Sequence, residues 1–191
     1  MSNKLIALIF SLATFSVAAT PMTPTESLRV AVDRLLVIAG DKVATETEKK
    51  ALIVGVVKDK IDLQVLSQRV VSRHWKKANA EQKEQFIGLF TQVVVNTYFT
   101  LLNDYNNEEV EYLKENIKKA KYAQISTYIV MQNKKIPVTF KLIYRKDLWR
   151  IYDFSAEGVS MVSTYINDYK STLKKGGLAN LNKVLAEKLA K

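Results

Sequence analysis

Along this chain apolar residues recur first at helical spacing, then at alternate positions, then at helical spacing again. Leu28, Val32, Leu35, Leu36 and Ala39 follow a 3.6-residue period. Ahead of them, Thr23-Pro24-Thr25-Glu26 supplies a capping hydroxyl, a first-turn proline and a carboxylate three residues on, which predicts a helix over about Pro24 to Lys42. A second helix is expected over Glu46 to Lys58, and Asp62 is placed to cap a third through Leu63, Leu66 and Val70. Asn79-Ala80-Glu81-Gln82 starts another, behind which Phe86, Phe90, Val93, Val94, Thr97, Tyr98, Leu101 and Tyr105 form a wide aromatic and aliphatic stripe.

After Asn106-Asn107 the period shortens to two. Val110 to Leu113, Tyr122 to Met131, Ile136 to Arg145 and Leu148 to Phe154 are β-rich runs separated by Lys, Asn and Asp turns, as in an antiparallel meander. In the third run Val138, Phe140, Leu142 and Tyr144 share one face, and Thr139, Lys141, Ile143 and Arg145 the other. From Gly158 the helical period returns in Met161, Val162, Tyr165, Ile166, Tyr169 and Leu173. Gly176-Gly177 is placed to end that helix in a left-handed turn, before a last one using Leu178, Leu181, Val184, Leu185 and Leu189. Helices, then strands, then helices predict an α+β fold: a four- to five-stranded antiparallel meander covered on one face by several helices.

The first residues change the picture of where such a domain works. Lys4, the apolar run Leu5 to Phe15 and the small residues Val17-Ala18-Ala19 have the form of a secretory leader, so residues 1–19 are expected to be removed and residues 20–191 to form one domain. No later apolar stretch reaches the roughly 20 uninterrupted residues that span a bilayer. The chain has no cysteine, which excludes disulfides and a lipid-modified cysteine and leaves the expectation of a protein free in a bacterial periplasm. The 29 basic residues exceed the 19 acidic ones, for a formal net charge of +10. In an exported protein this charge points to anionic headgroups or acidic protein faces rather than nucleic acid, or simply to solvated helix faces.

Candidate chemistry is sparse. His74 is the only histidine, so a multi-histidine metal site and a Cys/His nucleophile are excluded. Asp153 and Glu157 could be paired carboxylates for acid/base work, but a strand-to-helix junction suits them better as caps. Ser160 lacks the G-x-S-x-G elbow of a nucleophile, and Gly55 stands alone without a phosphate loop. No catalytic residue, metal or cofactor is expected. Three basic clusters, Arg69/Arg73/Lys76/Lys77, Lys118/Lys119/Lys121 and Lys170/Lys174/Lys175, are candidates for docking.

Two blocks of the chain resemble a known family. "LSQRVVSRHWKKANAEQKEQFIGLFTQVVVNTYFTLLNDY" carries Trp75, Ala78, Gln82, Phe86, Phe90, Tyr98 and Tyr105. After the meander, "WRIYDFSAEGVSMVSTYINDY" and "GGLANL" carry Trp149, Tyr152-Asp153, Glu157-Gly158-Val159-Ser160, Tyr165 and Gly177-Leu178. In this order they resemble the MlaC family of periplasmic phospholipid-binding proteins, also known as toluene-tolerance proteins, over roughly Leu63 to Leu185. Ser72 stands where that family commonly has glycine, and Ile166 where it has arginine. The resemblance implies a soluble, monomeric, non-enzymatic carrier. Its cargo would be phospholipid, shuttled between an outer-membrane lipoprotein–porin complex and an inner-membrane ABC transporter with an MCE-domain protein, in the system that maintains outer-membrane lipid asymmetry.

Two acyl chains of about sixteen carbons would cost roughly 25 kcal/mol to expose to water, at about 0.8 kcal/mol per methylene. A carrier must therefore bury them almost fully between smooth apolar walls. Phe86, Phe90, Val94, Tyr98 and Leu101 are expected to form one wall of such a lipid cavity. Tyr128, Val130, Phe140, Leu142, Trp149 and Ile151 are expected to form the other, with Met161 and Tyr165 closing the end. Two other readings stay open: a periplasmic adaptor whose aromatics are ordinary core and which has no ligand cavity, and a hydrolase or isomerase acting on a hydrophobic substrate.

Overall fold

Three reciprocal caps start three of the helices, each with a side chain accepting from the backbone of its N3 residue while the N3 side chain accepts from the cap. They are Thr23 with Glu26, Thr45 with Glu48, and Asn79 with Gln82. The helices they open are α1 (Pro24–Gly40), α2 (Glu46–Lys60) and α5 (Ala80–Asn103). Asp62 caps α3 (Leu63–Val71), and a short α4 (Arg73–Lys77), not expected from the sequence, follows at once. The computed structural model describes residues 21–131 and 134–190. The leader expected at residues 1–19 lies outside the described residues.

Ser72, between α3 and α4, has φ 50° and ψ −123°, a conformation that a Cβ makes costly and glycine adopts freely. This residue is the departure from glycine noted above. Ser72→Gly is expected to raise unfolding stability in urea by about 1 kcal/mol, whereas Ser72→Ala, which keeps the Cβ, is not; no gain from the glycine would show that the strain is relieved elsewhere.

The strands β1 (Glu109–Lys118), β2 (Tyr122–Met131), β3 (Lys134–Arg145), β4 (Leu148–Ala156) and β5 (Val159–Ser160) form one open antiparallel sheet in chain order, as the meander reading expects. The β1–β2 connection has three residues, Lys119, Ala120 and Lys121, the first two at positive φ, and the β3–β4 and β4–β5 connections are two-residue turns with positive φ at both positions, Lys146 and Asp147, Glu157 and Gly158. Such primed turns match the twist of the strands they join. α6 (Met161–Leu189) is broken at Gly176 and Gly177, the latter at φ 64°, as the paired glycines imply.

Cross-strand pairing defines the faces. Ile125 pairs with Phe140, and Phe140 with Phe154, while Ala123 pairs with Leu142, and Leu142 with Ile151. Phe154 and Ile151 are three apart yet share a face, because a bulge opposite Lys141 and Leu142 inserts one extra residue in β4. Tyr128 pairs with Pro137 and Val130 with Lys135, so both point to the opposite face. This corrects the expectation that Tyr128 and Val130 share a wall with Phe140 and Leu142: within one strand, alternation separates them.

α1 covers part of the inner face. Leu28 and Ala31 are buried against Ala123, Ile125, Leu142 and Ile151. At its first turn the Thr25 amide donates to Glu115 of β1 (2.8 Å) and the Ser27 hydroxyl to the Trp149 carbonyl of β4 (2.9 Å). One helical turn thus touches strands three apart, and the sheet curls around it. A second core joins α3, α4, α5 and α6, and a third sets Val95 and Phe99 of α5 against Ile53 and Val57 of α2.

Two buried aspartates fix helices to the sheet. Asp62 accepts from the Val65 amide (2.9 Å) and from Arg145 (3.0 Å), while its own amide donates to the Ile151 carbonyl (2.8 Å). Asp153 accepts from Lys141 (2.9 Å), the Ser160 hydroxyl (2.8 Å) and the Val162 amide (3.1 Å), anchoring the start of α6. Asp153→Ala leaves those donors without their acceptor and is expected to cost about 2–3 kcal/mol in denaturant unfolding; a loss under about 0.5 kcal/mol would mean water replaces the carboxylate.

Candidate binding site

The residues expected to form two facing walls fall into two separate packing groups. Phe86, Phe90 and Val94, on α5, are buried with Met161 and Tyr165 of α6 in the helical core. Phe86 and Phe90 stack at 5.2 Å, and Tyr165 meets Phe90 edge-on at 4.9 Å. Leu142 and Ile151 are buried, and Phe140 and Trp149 half-buried, in the group that α1 covers. The side chain of Leu101 lies outside the described residues.

The two groups meet through one aromatic bridge. Tyr98, on the C-terminal half of α5, lies edge-on to Phe154 at 5.1 Å, and Phe154 lies 6.1 Å from Phe140. Phe154 was not among the expected site residues because simple alternation from Ile151 places it on the outer face. Only the bulge turns it inward, and the mixed spacing of Trp149, Ile151 and Phe154 is the signal that could have shown this.

The inner face of the sheet is not uniformly covered. Near the β1–β2 and β3–β4 turns, Ala123, Ile125 and Leu142 are fully enclosed under α1. Toward the other end, Val110, Ile129, Ile136, Phe140 and Phe154 share that face by register yet remain only half-buried. Between the Val110, Ile129 and Ile136 row and the Phe140 and Phe154 row lie Thr127 and Val138, both buried, and Phe154 packs on Tyr98. The polar Thr127 is satisfied, its hydroxyl donating to the Val138 carbonyl at 2.9 Å.

The phenols around this region are held neutral. Burial raises Tyr98 to about 12, with smaller contributions from Tyr165 and Asp153. Burial also raises Tyr112 to about 12 against the opposing effect of Arg29, whose guanidinium sits 4.0 Å over the ring. Tyr165 and Tyr169 are raised for the same reason. The region therefore offers neutral hydroxyls and hydrocarbon rather than an anionic base. Asp153, with its three donors, is engaged as a helix anchor, and Glu157 occupies an exposed turn. Among the described residues no group of three or more His, Cys, Asp or Glu side chains is placed to hold a metal ion.

This combination, an open antiparallel sheet whose inner face carries an incompletely covered apolar zone, defines an α+β binding fold. The family model for the MlaC protein matches residues 29–187, and the chain belongs to the MlaC family. The intermembrane phospholipid transport system binding protein MlaC of Haemophilus influenzae is 25% identical over 126 residues, 63% of this chain. The match spans 59% of that relative's length. The structure of a phospholipid-binding protein from Ralstonia solanacearum in complex with a phospholipid has the same fold, with a TM-score of 0.78 at 22% identity over 86% of this chain and 97% of the other.

Because these phenols titrate higher in the folded chain than the value near 10 of an unfolded one, their contribution to stability is complete below about pH 10. It is lost as pH rises toward about 12. The melting temperature is expected to fall across that window and to fall less in Tyr112→Phe. Identical alkaline profiles for the two proteins would show that Tyr112 is not held neutral by its surroundings.

Proposed function

We propose that this protein is a periplasmic phospholipid carrier, exported through a cleaved leader at residues 1–19. Its cargo lies on the half-buried inner face of the sheet, against Val110, Ile129, Ile136, Phe140 and Phe154, with Tyr98 opposite. The observation that carries this reading is that five large apolar side chains of one sheet face, Val110, Ile129, Ile136, Phe140 and Phe154, stay half-buried while Ala123, Ile125 and Leu142 on the same face are enclosed. A protein with nothing to bind would lose stability by leaving that surface thinly covered. Membership of the MlaC family and the phospholipid named for the H. influenzae and R. solanacearum proteins support the same cargo.

Cargo of this kind asks for no covalent step. Binding rests on apolar contact with the acyl chains, and the absence of charge on the phenols keeps the surface compatible with them. The carrier reading further assigns an outer-membrane lipoprotein–porin complex and an inner-membrane MCE-domain protein of an ABC transporter as the two exchange partners, with the protein acting as a monomer in maintaining outer-membrane lipid asymmetry. Phe86, Phe90, Val94, Met161 and Tyr165 then support the site from the helical core behind it.

Adjacent residues on opposite faces give a direct test. Ile129→Asp places a charge on the proposed lipid surface, and Val130→Asp places the same charge on the outer face. Native mass spectrometry with lipid extraction is expected to find about one phospholipid per chain in the wild type and in Val130→Asp. Occupancy should drop by about tenfold or more in folded Ile129→Asp, since burying an unpaired carboxylate among acyl chains is strongly unfavourable. A lipid-free wild type that also takes no lipid from vesicles would favour the adaptor reading instead.

A further inference from the structure

The β1–β2 and β3–β4 turns project from the same end of the sheet. Tyr122 pairs with Ile143, and the Tyr144 amide donates to the Lys121 carbonyl at 2.8 Å. The first turn carries Lys118, Lys119 and Lys121, and the second carries Lys146. None of these four lysines has an ion-pair partner among the described residues, whereas Lys135, Lys141 and Arg145 on the same sheet are paired with Glu111, Asp153 and Asp62. Asp147 is the one acidic residue in either turn. Beside each group of lysines stands an exposed aliphatic side chain: Ile117, 49% exposed, and Leu148, 48% exposed.

From this end we infer that the paired hairpin tips are a docking surface for anionic phospholipid bilayers. Lysine attracts a negatively charged leaflet through a long flexible stem, and neighbouring aliphatic side chains enter the headgroup boundary. Lysine is depleted at protein interfaces, and the arginine and aromatic residues flanking the turns are engaged within the fold: Arg145 pairs with Asp62, Tyr122 packs on Tyr152 and Tyr144 on Trp149. The tips hold their positions because each is a short turn, of three residues in the first and two in the second, locked between paired strands. The far end carries Glu108, Glu109, Glu111 and Glu157 against Lys134 and Lys135. The sheet is therefore polarised along its length, and an anionic surface would orient it tips down. Docked so, the half-covered apolar zone faces away from the bilayer.

This inference goes beyond the carrier reading and does not rest on it. Flotation of the purified full chain with vesicles tests it, using phosphatidylcholine alone and phosphatidylcholine with phosphatidylglycerol. Binding is expected only to the vesicles with phosphatidylglycerol, and it should weaken as salt rises above about 0.1 M, where screening acts over about 10 Å. Each lysine at the surface contributes about fivefold in affinity, so Lys119→Glu/Lys146→Glu should lose at least about twentyfold. Leu148→Asp should also lose affinity. Lys170→Glu/Lys174→Glu, the same charge change on α6, should stay within about twofold. Lipid extracted from the tip variant should match the wild type, which separates docking from cargo binding. No flotation of the wild type, equal losses in both double variants, or tip-dependent binding to polyglutamate without vesicle binding would each overturn the inference.

Discussion

A single buried carboxylate governs how the two halves of this protein meet. Asp153 receives a lysine from the neighbouring strand, a serine hydroxyl from the turn and the amide of Val162 in the helix that follows. A carboxylate removed from water is tolerable only when its lone pairs are occupied, so strand, turn and helix must arrive together. That fixes the direction in which α6 leaves the sheet, which in turn sets Tyr165 and Tyr169 against Phe90 at 4.9 and 6.0 Å. Asp62 performs the matching task on the other side, joining α3 to β3 through Arg145 and to β4 through its backbone.

With α3 and α6 pinned near β4, the inner face is shielded mainly by α1, with Tyr98 of α5 reaching Phe154 beyond it. Leu28 and Ala31 enclose the end near the hairpin tips; beyond that the chain spends its aromatic residues differently. Phe86 and Phe90 are fully buried in the helical core, while Tyr98, Phe154 and Phe140 form a half-buried bridge to the sheet.

Most of the architecture was legible in the sequence because caps and periodicity are local. Thr23, Thr45, Asp62 and Asn79 mark their helices without help from tertiary contacts, and Gly176-Gly177 marks the break in α6. The site was harder to read for two physical reasons. Helical spacing identifies a stripe but not its partner, so the buried Phe86 and Phe90 looked the same as the half-exposed Tyr98. Alternation identifies two faces only while the register is unbroken. The bulge in β4 moved Phe154 inward, and with no neighbouring strand in view nothing fixed which face of β2 turned inward at Tyr128 and Val130.

The ties of α1 to the sheet carry one more consequence. Every strand pairing joins chain neighbours, so the sheet is a local structure that assembles without long loops. Thr25 and Glu115, by contrast, are 90 residues apart, and Ser27 and Trp149 are 122 apart. Closing loops of that length is entropically late in folding. Docking of the helix that completes the inner face is therefore expected to follow formation of the meander, and hydrogen exchange of its amides reports when the face is finished.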